Sequence, residues 1–80
     1  MESRRQRTNR FGAAVRKARM AAGITQEDLA DRSGLDRSYI GGVERGERNP
    51  TLTVIDKIAN GLGISIAELF SIESAREPEA

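Results

Sequence analysis

The stretch QEDLADRSGLDRSYIGGVER, residues Gln26 to Arg45, reads as two short helices meeting at a tight turn. Leu29 and Ala30 are apolar on the first helix. Ile40 and Val43, three apart, are apolar on the second. Between them lies Ser33-Gly34-Leu35. A helix stops most readily in a left-handed conformation that only Gly adopts cheaply, so Gly34 predicts the turn. Asp36 follows as an N-cap, because its carboxylate can accept the orphan N–H groups of a new helix. Ala30 is small where two helices crossing near a right angle would otherwise collide.

This layout is a helix-turn-helix, whose second helix enters the major groove of DNA. Gln26, Ala30, Gly34, Ile40 and Val43 fall at five positions where such proteins repeatedly place these residue types. On those residues the chain resembles the Cro/C1-type (XRE) family of phage repressors and bacterial regulators, from about Phe11 to Phe70. The resemblance implies an all-α, compact five-helix, lambda-repressor-like DNA-binding domain, with helices 2 and 3 as the motif. From the residues alone, the alternative is a helical hairpin that only builds a core.

Eighty residues make one small domain with a modest core. There is no Cys and no His, which removes disulfides, thiolate sites, the commonest general base and the commonest metal ligand. No Gly-rich phosphate cradle of the P-loop kind is present, and each acid or hydroxyl has a capping or surface role, so an enzyme is not expected. Neither a metal, a cofactor nor a small-molecule ligand is expected. No apolar run approaches a membrane span, and the N-terminal arginines precede no apolar signal core, so the cytoplasm is the expected location.

The net charge of +1 hides a gradient. Arg4, Arg5, Arg7, Arg10, Arg16, Lys17 and Arg19 face one acid, Glu2, at the start. Glu68, Glu73, Glu77 and Glu79 face one base, Arg76, at the end. Such asymmetry points one end of the chain toward an anion. The expected organisation is a basic flexible arm over residues 1–8, the domain over residues 9–72, and an acidic disordered tail over residues 73–80.

Helix 1 is predicted from about Asn9 to Ala22, with Thr8 or Asn9 as cap and Phe11, Val15, Ala18 and Ala22 on one face. Helix 2 begins after Thr25, whose partner Asp28 makes a variant capping box. Helix 3 is predicted from Arg37 to about Arg45. At about 100° per residue, Ile40, Val43 and Glu44 face the body, while Arg37, Ser38, Gly41, Gly42 and Arg45 face outward with Tyr39 at the flank. Arg can bond guanine bidentately, and Ser can donate to either base type or to phosphate. Two helical glycines cost about 1 kcal/mol each relative to Ala. Either their bareness lets the helix sit deep in a groove, or helix 3 ends early. Helix 4 is predicted from about Thr53 to Leu62, with Leu52, Ile55, Ile58, Ala59 and Leu62 as core and with Gly61 and Gly63 loosening its end. Helix 5 follows Ser65, with Glu68 completing a capping box.

The resemblance carries roles onto matching positions. Arg37, Ser38 and Tyr39 are expected to read bases. Thr25 and Gln26, at a helix N-terminus suited to an anion, are expected on DNA phosphates with Gly42, Arg45, Arg48 and Asn49. Arg19 and Glu44 are expected to pair and tie helix 1 to helix 3; the alternative is that both are exposed. Ile64, Ile66 and Phe70 are expected in a two-fold dimer contact, with burial in the monomer's own core as the rival.

Within the family, LDRSYIGGVERGERNPTL looks most like the controller proteins of restriction–modification systems. The expected function is a homodimeric, sequence-specific transcriptional regulator on a palindromic double-stranded operator, regulating its own promoter. The alternative is an antitoxin or another protein-partner module on the same fold, with its acidic tail, Glu73 to Glu79, as the docking surface. A toxin or RNA polymerase is then a further contact.

Overall fold

The computed structural model describes residues 3–74, with the side chains of Arg4, Arg5 and Arg7 left aside. Residues 1–2 of the expected arm and residues 75–80 of the expected acidic tail lie outside the described residues. Five helices follow one another: α1 (Arg4–Ala21), α2 (Gln26–Ser33), α3 (Arg37–Glu44), α4 (Leu52–Leu62) and α5 (Ile66–Ser74). There is no strand among the described residues. The fold is all-α.

Helix α1 starts five residues ahead of the expected Asn9. Ser3 caps it, with its hydroxyl accepting from the Gln6 N–H at 3.1 Å while the Ser3 N–H donates to the Gln6 side chain at 2.7 Å. Arg and Gln are good helix formers and no Gly or Pro intervenes, so the earlier cap prevails over Thr8 and Asn9. The backbone of residues 4–8 is therefore helical.

Val15, Leu29, Ile40, Val43, Ile58 and Leu69 are fully buried, drawing one residue or more from each helix into a single core. Burying each such side chain contributes about 1.5–3 kcal/mol. Helix α1 packs against α3 and α5, and α2 packs against α3 and α4. Two close approaches set this geometry. A Cβ at Gly12 would run into the Val43 carbonyl oxygen, and one at Gly61 into the Ser33 hydroxyl. Gly61 thus lets α4 lie against α2 rather than loosening its own helix.

Leu52 departs from its expected place in the core. It is the first residue of α4, one turn short of the body, and is 67% exposed. Glu73 departs from the expected tail. It lies in α5, and its carboxylate meets the Arg10 Nε at 3.2 Å, closing α5 onto α1. The Glu73 charge is thus paired within the domain, while Glu77 and Glu79 of the expected docking surface lie outside the described residues.

Candidate nucleic-acid interface

The turn between α2 and α3 is made by Gly34, at φ 69° and ψ 31°. The N–H of Leu35 bonds the Ala30 carbonyl at 2.9 Å, closing α2 with a Schellman-type cap. Asp36 then opens α3, accepting from the Ser38 N–H at 2.9 Å. Its side chain also takes the Ser38 hydroxyl hydrogen. These two bonds, hydroxyl first and N–H second, hold the Asp36 carboxyl below the usual range. Asp36, Arg37 and Ser38 are all exposed, so the first turn of α3 faces solvent.

The inner side of α3 is fixed by a buried polar cluster. Arg19 of α1 donates to Glu44 twice, from Nε at 2.6 Å and from Nη2 at 3.0 Å. Its Nη1 donates to the Ile24 carbonyl oxygen at 2.9 Å. The Glu44 side chain is 4% exposed and that of Arg19 14%. Gln26 completes the cluster: its Nε2 donates to Glu44 Oε1 at 3.0 Å. One carboxylate therefore holds α1, α2 and α3 together. The resemblance pointed to the pair but not to Gln26 as its third member. The signal was present, since Gln26 and Glu44 project toward the same helix junction.

Thr25 and Asp28 satisfy each other. The Asp28 N–H donates to Thr25 Oγ1 at 3.0 Å, and the Thr25 N–H donates to Asp28 Oδ2 at 3.0 Å. The bond from the Thr25 N–H, then the one to its hydroxyl, holds the Asp28 carboxyl low. A carboxylate thus occupies the positive end of α2, where an anion would otherwise be drawn. At this end the Thr25 hydroxyl is engaged with Asp28, and the backbone N–H groups of Gln26 and Glu27 are the orphan donors of the helix start.

Gly41 and Gly42 are helical and buried, not bare. The chain covers them itself. A Cβ at Gly41 would meet Arg45 Nη1 at 3.0 Å, and one at Gly42 would meet Arg48 Cγ at 2.9 Å. Helix 3 does not end early, and the glycines make room for arginine side chains folded back along it. Arg48 crosses Gly42 and places its guanidinium 5.7 Å from the centre of the Tyr39 ring. Tyr39 is half-buried and packs on the core. Arg45 pairs with Glu47 through bonds of 3.0 and 3.1 Å, with both side chains 60% exposed. Hydrogen bonding to Arg45, before charge, lowers the Glu47 carboxyl. Asn49 is exposed in the loop that follows. Arg37, Ser38, Arg45, Arg48 and Asn49 are thus all exposed on α3 and the loop that follows it.

Ile64 and Ile66 are half-buried against the core of their own chain. Phe70 is 38% exposed, with its ring 5.9 Å from that of Phe11. The two rings line an open recess of about 260 Å³ with Thr8, Arg10, Asn49, Pro50, Ile55 and Glu73. Among the described residues, no group of His, Cys, Asp or Glu side chains is placed to hold a metal ion. No helix there is long and apolar enough to cross a membrane.

Known proteins share this arrangement. A helix-turn-helix family profile matches residues 15–69. The control protein C.MunI of Mycoplasma sp. is 43% identical over 63 residues, which cover 78% of this chain and 85% of that protein. The crystal structure of the restriction–modification controller protein C.AhdI from Aeromonas hydrophila is 54% identical, with a TM-score of 0.77 over 79% of this chain and 96% of that one. The restriction–modification controller C.Esp1396I, as a tetramer in complex with its natural 35-base-pair operator, gives a TM-score of 0.83 at 38% identity, over 91% of this chain and 93% of that one. The motif, the five-helix frame and these relatives agree: the chain belongs to the Cro/C1-type (XRE) helix-turn-helix family, the family of the restriction–modification controllers.

Proposed function

We propose that this protein is a DNA-binding regulator of transcription that acts as a homodimer on a palindromic operator and controls its own promoter as a restriction–modification controller. The observation that carries the reading is the exposed first turn of α3, with Arg37 and Ser38 outward, held at a fixed angle by the Arg19–Glu44–Gln26 cluster. Arg37 and Ser38 read base edges, and Tyr39 lies beside them. Thr25, Gln26, Arg45, Arg48 and Asn49 grip phosphates, with Gly42 letting Arg48 reach along the helix. Phosphate contacts set position and affinity, whereas base contacts set specificity. No catalytic step is assigned.

Isologous dimers match palindromes, with half-sites roughly 34 Å apart. The exposed Phe70, beside Phe11, supports a two-fold contact to which Ile64 and Ile66 contribute. RNA polymerase is the partner through which an activating regulator acts. Phe70→Asp tests the dimer: sedimentation should show monomers with the helical content retained, and a surviving dimer would move the interface elsewhere. DNA binding is tested by titrating duplex DNA at increasing salt. The affinity should fall with a log–log slope of about 0.9 per phosphate neutralised, and a flat response would remove the phosphate grip.

A further inference from the structure

The polarity of the first turn of α3 bears on what it can read, an inference that rests on α3 facing the major groove. A serine hydroxyl ordinarily either donates or accepts, which makes it an undiscriminating reader of bases. Here its freedom is removed. The Ser38 hydroxyl has one hydrogen, and that hydrogen is directed at the Asp36 carboxylate. The same carboxylate oxygen accepts from the Ser38 N–H at 2.9 Å, so backbone and side chain are pinned to one atom. An ionised carboxylate has no hydrogen to give, and these bonds keep Asp36 ionised. The direction of the bond is therefore fixed, and Ser38 Oγ keeps only its lone pairs for a ligand. Both residues are exposed, so those lone pairs remain accessible.

We propose that Asp36 makes Ser38 an acceptor-only reader, which selects a base bearing an exocyclic amino group in the major groove, the N6 of adenine or the N4 of cytosine. Donation to a negative group strengthens the acceptor power of the same oxygen. The nearby carboxylate also repels the acceptor-only edges of guanine and thymine. Its neighbour Arg37 carries donors alone and suits the O6 and N7 of guanine. The α3 N-terminus thus presents two adjacent readers of opposite polarity, a donor followed by an acceptor. Asp36 is a positioning residue in this scheme, because it acts through Ser38.

The test starts from the operator selected by the wild-type protein from a random pool, and from the base pair at which Ser38→Ala changes preference. Every base pair has an amino base on one strand and a keto base on the other, so the selected sequence alone does not name the atom that is read. Base analogues do. Purine for adenine, or 2-pyrimidinone for cytosine, removes the amino group. 2-Aminopurine for guanine, or 5-methyl-2-pyrimidinone for thymine, removes the keto oxygen. Amino deletion should weaken wild-type binding about tenfold beyond its effect on Ser38→Ala, within the usual range for one lost base contact. Keto deletion should affect the two proteins equally. Asp36→Gly retains an acceptable N-cap and frees the hydroxyl to donate. It should bind the operator with that base pair reversed to within about threefold of the original, where the wild type loses about tenfold.

A Ser38-dependent loss on keto deletion would overturn the proposal. So would equal losses for both proteins on amino deletion, an Asp36→Gly protein as discriminating as the wild type, or a Ser38→Ala protein that selects an unchanged operator. Failure of the wild type to select any sequence would instead defeat the DNA-reading function beneath it. Circular dichroism on each variant separates these results from unfolding.

Discussion

Arg19–Glu44 and Arg45–Glu47 are both two-bond arginine–glutamate pairs at the C-terminal end of α3, with bonds of 2.6 and 3.0 Å in one and 3.0 and 3.1 Å in the other. Their surroundings differ. The first is 14% and 4% exposed and is joined by Gln26; the second is 60% exposed on both sides. A buried charge left without its partner is expensive, whereas an exposed pair contributes little and exchanges readily with other ions. The first pair therefore fixes where α3 sits. The second keeps Arg45 available, since a phosphate can replace Glu47 at small cost. One chemistry serves as a rivet in one place and as a releasable latch in the other, and burial decides which.

Breaking the rivet should have the largest effect. Glu44→Ala leaves the Arg19 guanidinium without its carboxylate, with the Ile24 carbonyl as its remaining acceptor, and the Gln26 amide without its acceptor. Urea unfolding should show a loss of about 3–5 kcal/mol; a loss under about 1 kcal/mol would mean the cluster is as dispensable as a surface pair. Arg37→Ala lies outside both pairs and should leave stability unchanged while costing about 1–3 kcal/mol at its cognate base, with preference relaxed there. Equal losses on all sequences would remove it from the base readers. Arg48→Ala should weaken every duplex alike and lower the salt slope by about one unit. An unchanged slope would take Arg48 out of the phosphate set and leave it only as a cover for Tyr39.

Releasing the latch should be a gain. Glu47→Gln frees Arg45 and removes a negative charge from the loop. Affinity for any duplex should rise, by no more than about fivefold, with an unchanged melting temperature. A drop in melting temperature comparable to that of Glu44→Ala would erase the distinction between the pairs. The smallest effect is one of pH. Asp28 and Asp36 have folded pKa values below their unfolded ones. Their stabilisation is complete above the unfolded value, about 3.9, and is lost as pH falls through the lower folded value. Urea unfolding at descending pH should therefore fall less steeply for Asp36→Asn than for the wild type below about pH 4. Parallel curves would remove the cap as a cause.

The motif was legible because its constraints are local. Gly34 as a stop, Asp36 as a cap, and Ile40 with Val43 on one face can each be read within a few residues. The five-helix frame followed from similar signals. What escaped reading depends on distance. Gly12 and Gly61 look like weak points in their own helices, and only the neighbouring Val43 carbonyl and Ser33 hydroxyl reveal them as packing sites. Gly41 and Gly42 looked bare on a helical projection, which omits the side chains of Arg45 and Arg48 folding back over them. Leu52 satisfied the apolar spacing of α4, yet spacing does not say where the body of the protein stops. Glu73 looked like the start of a charged tail because its partner, Arg10, is sixty-three residues away. The helical projection, with Glu44 toward the body and Arg45 outward, already separated the buried pair from the exposed one.

The measurement that tests the account most directly is selection of DNA from a random pool by the pure protein, followed by sequencing. The account predicts an enriched palindrome with half-sites about one helical turn apart, and the same palindrome at reduced enrichment for Arg48→Ala. Absence of any enriched sequence, with the protein folded and dimeric, would contradict sequence-specific reading by α3.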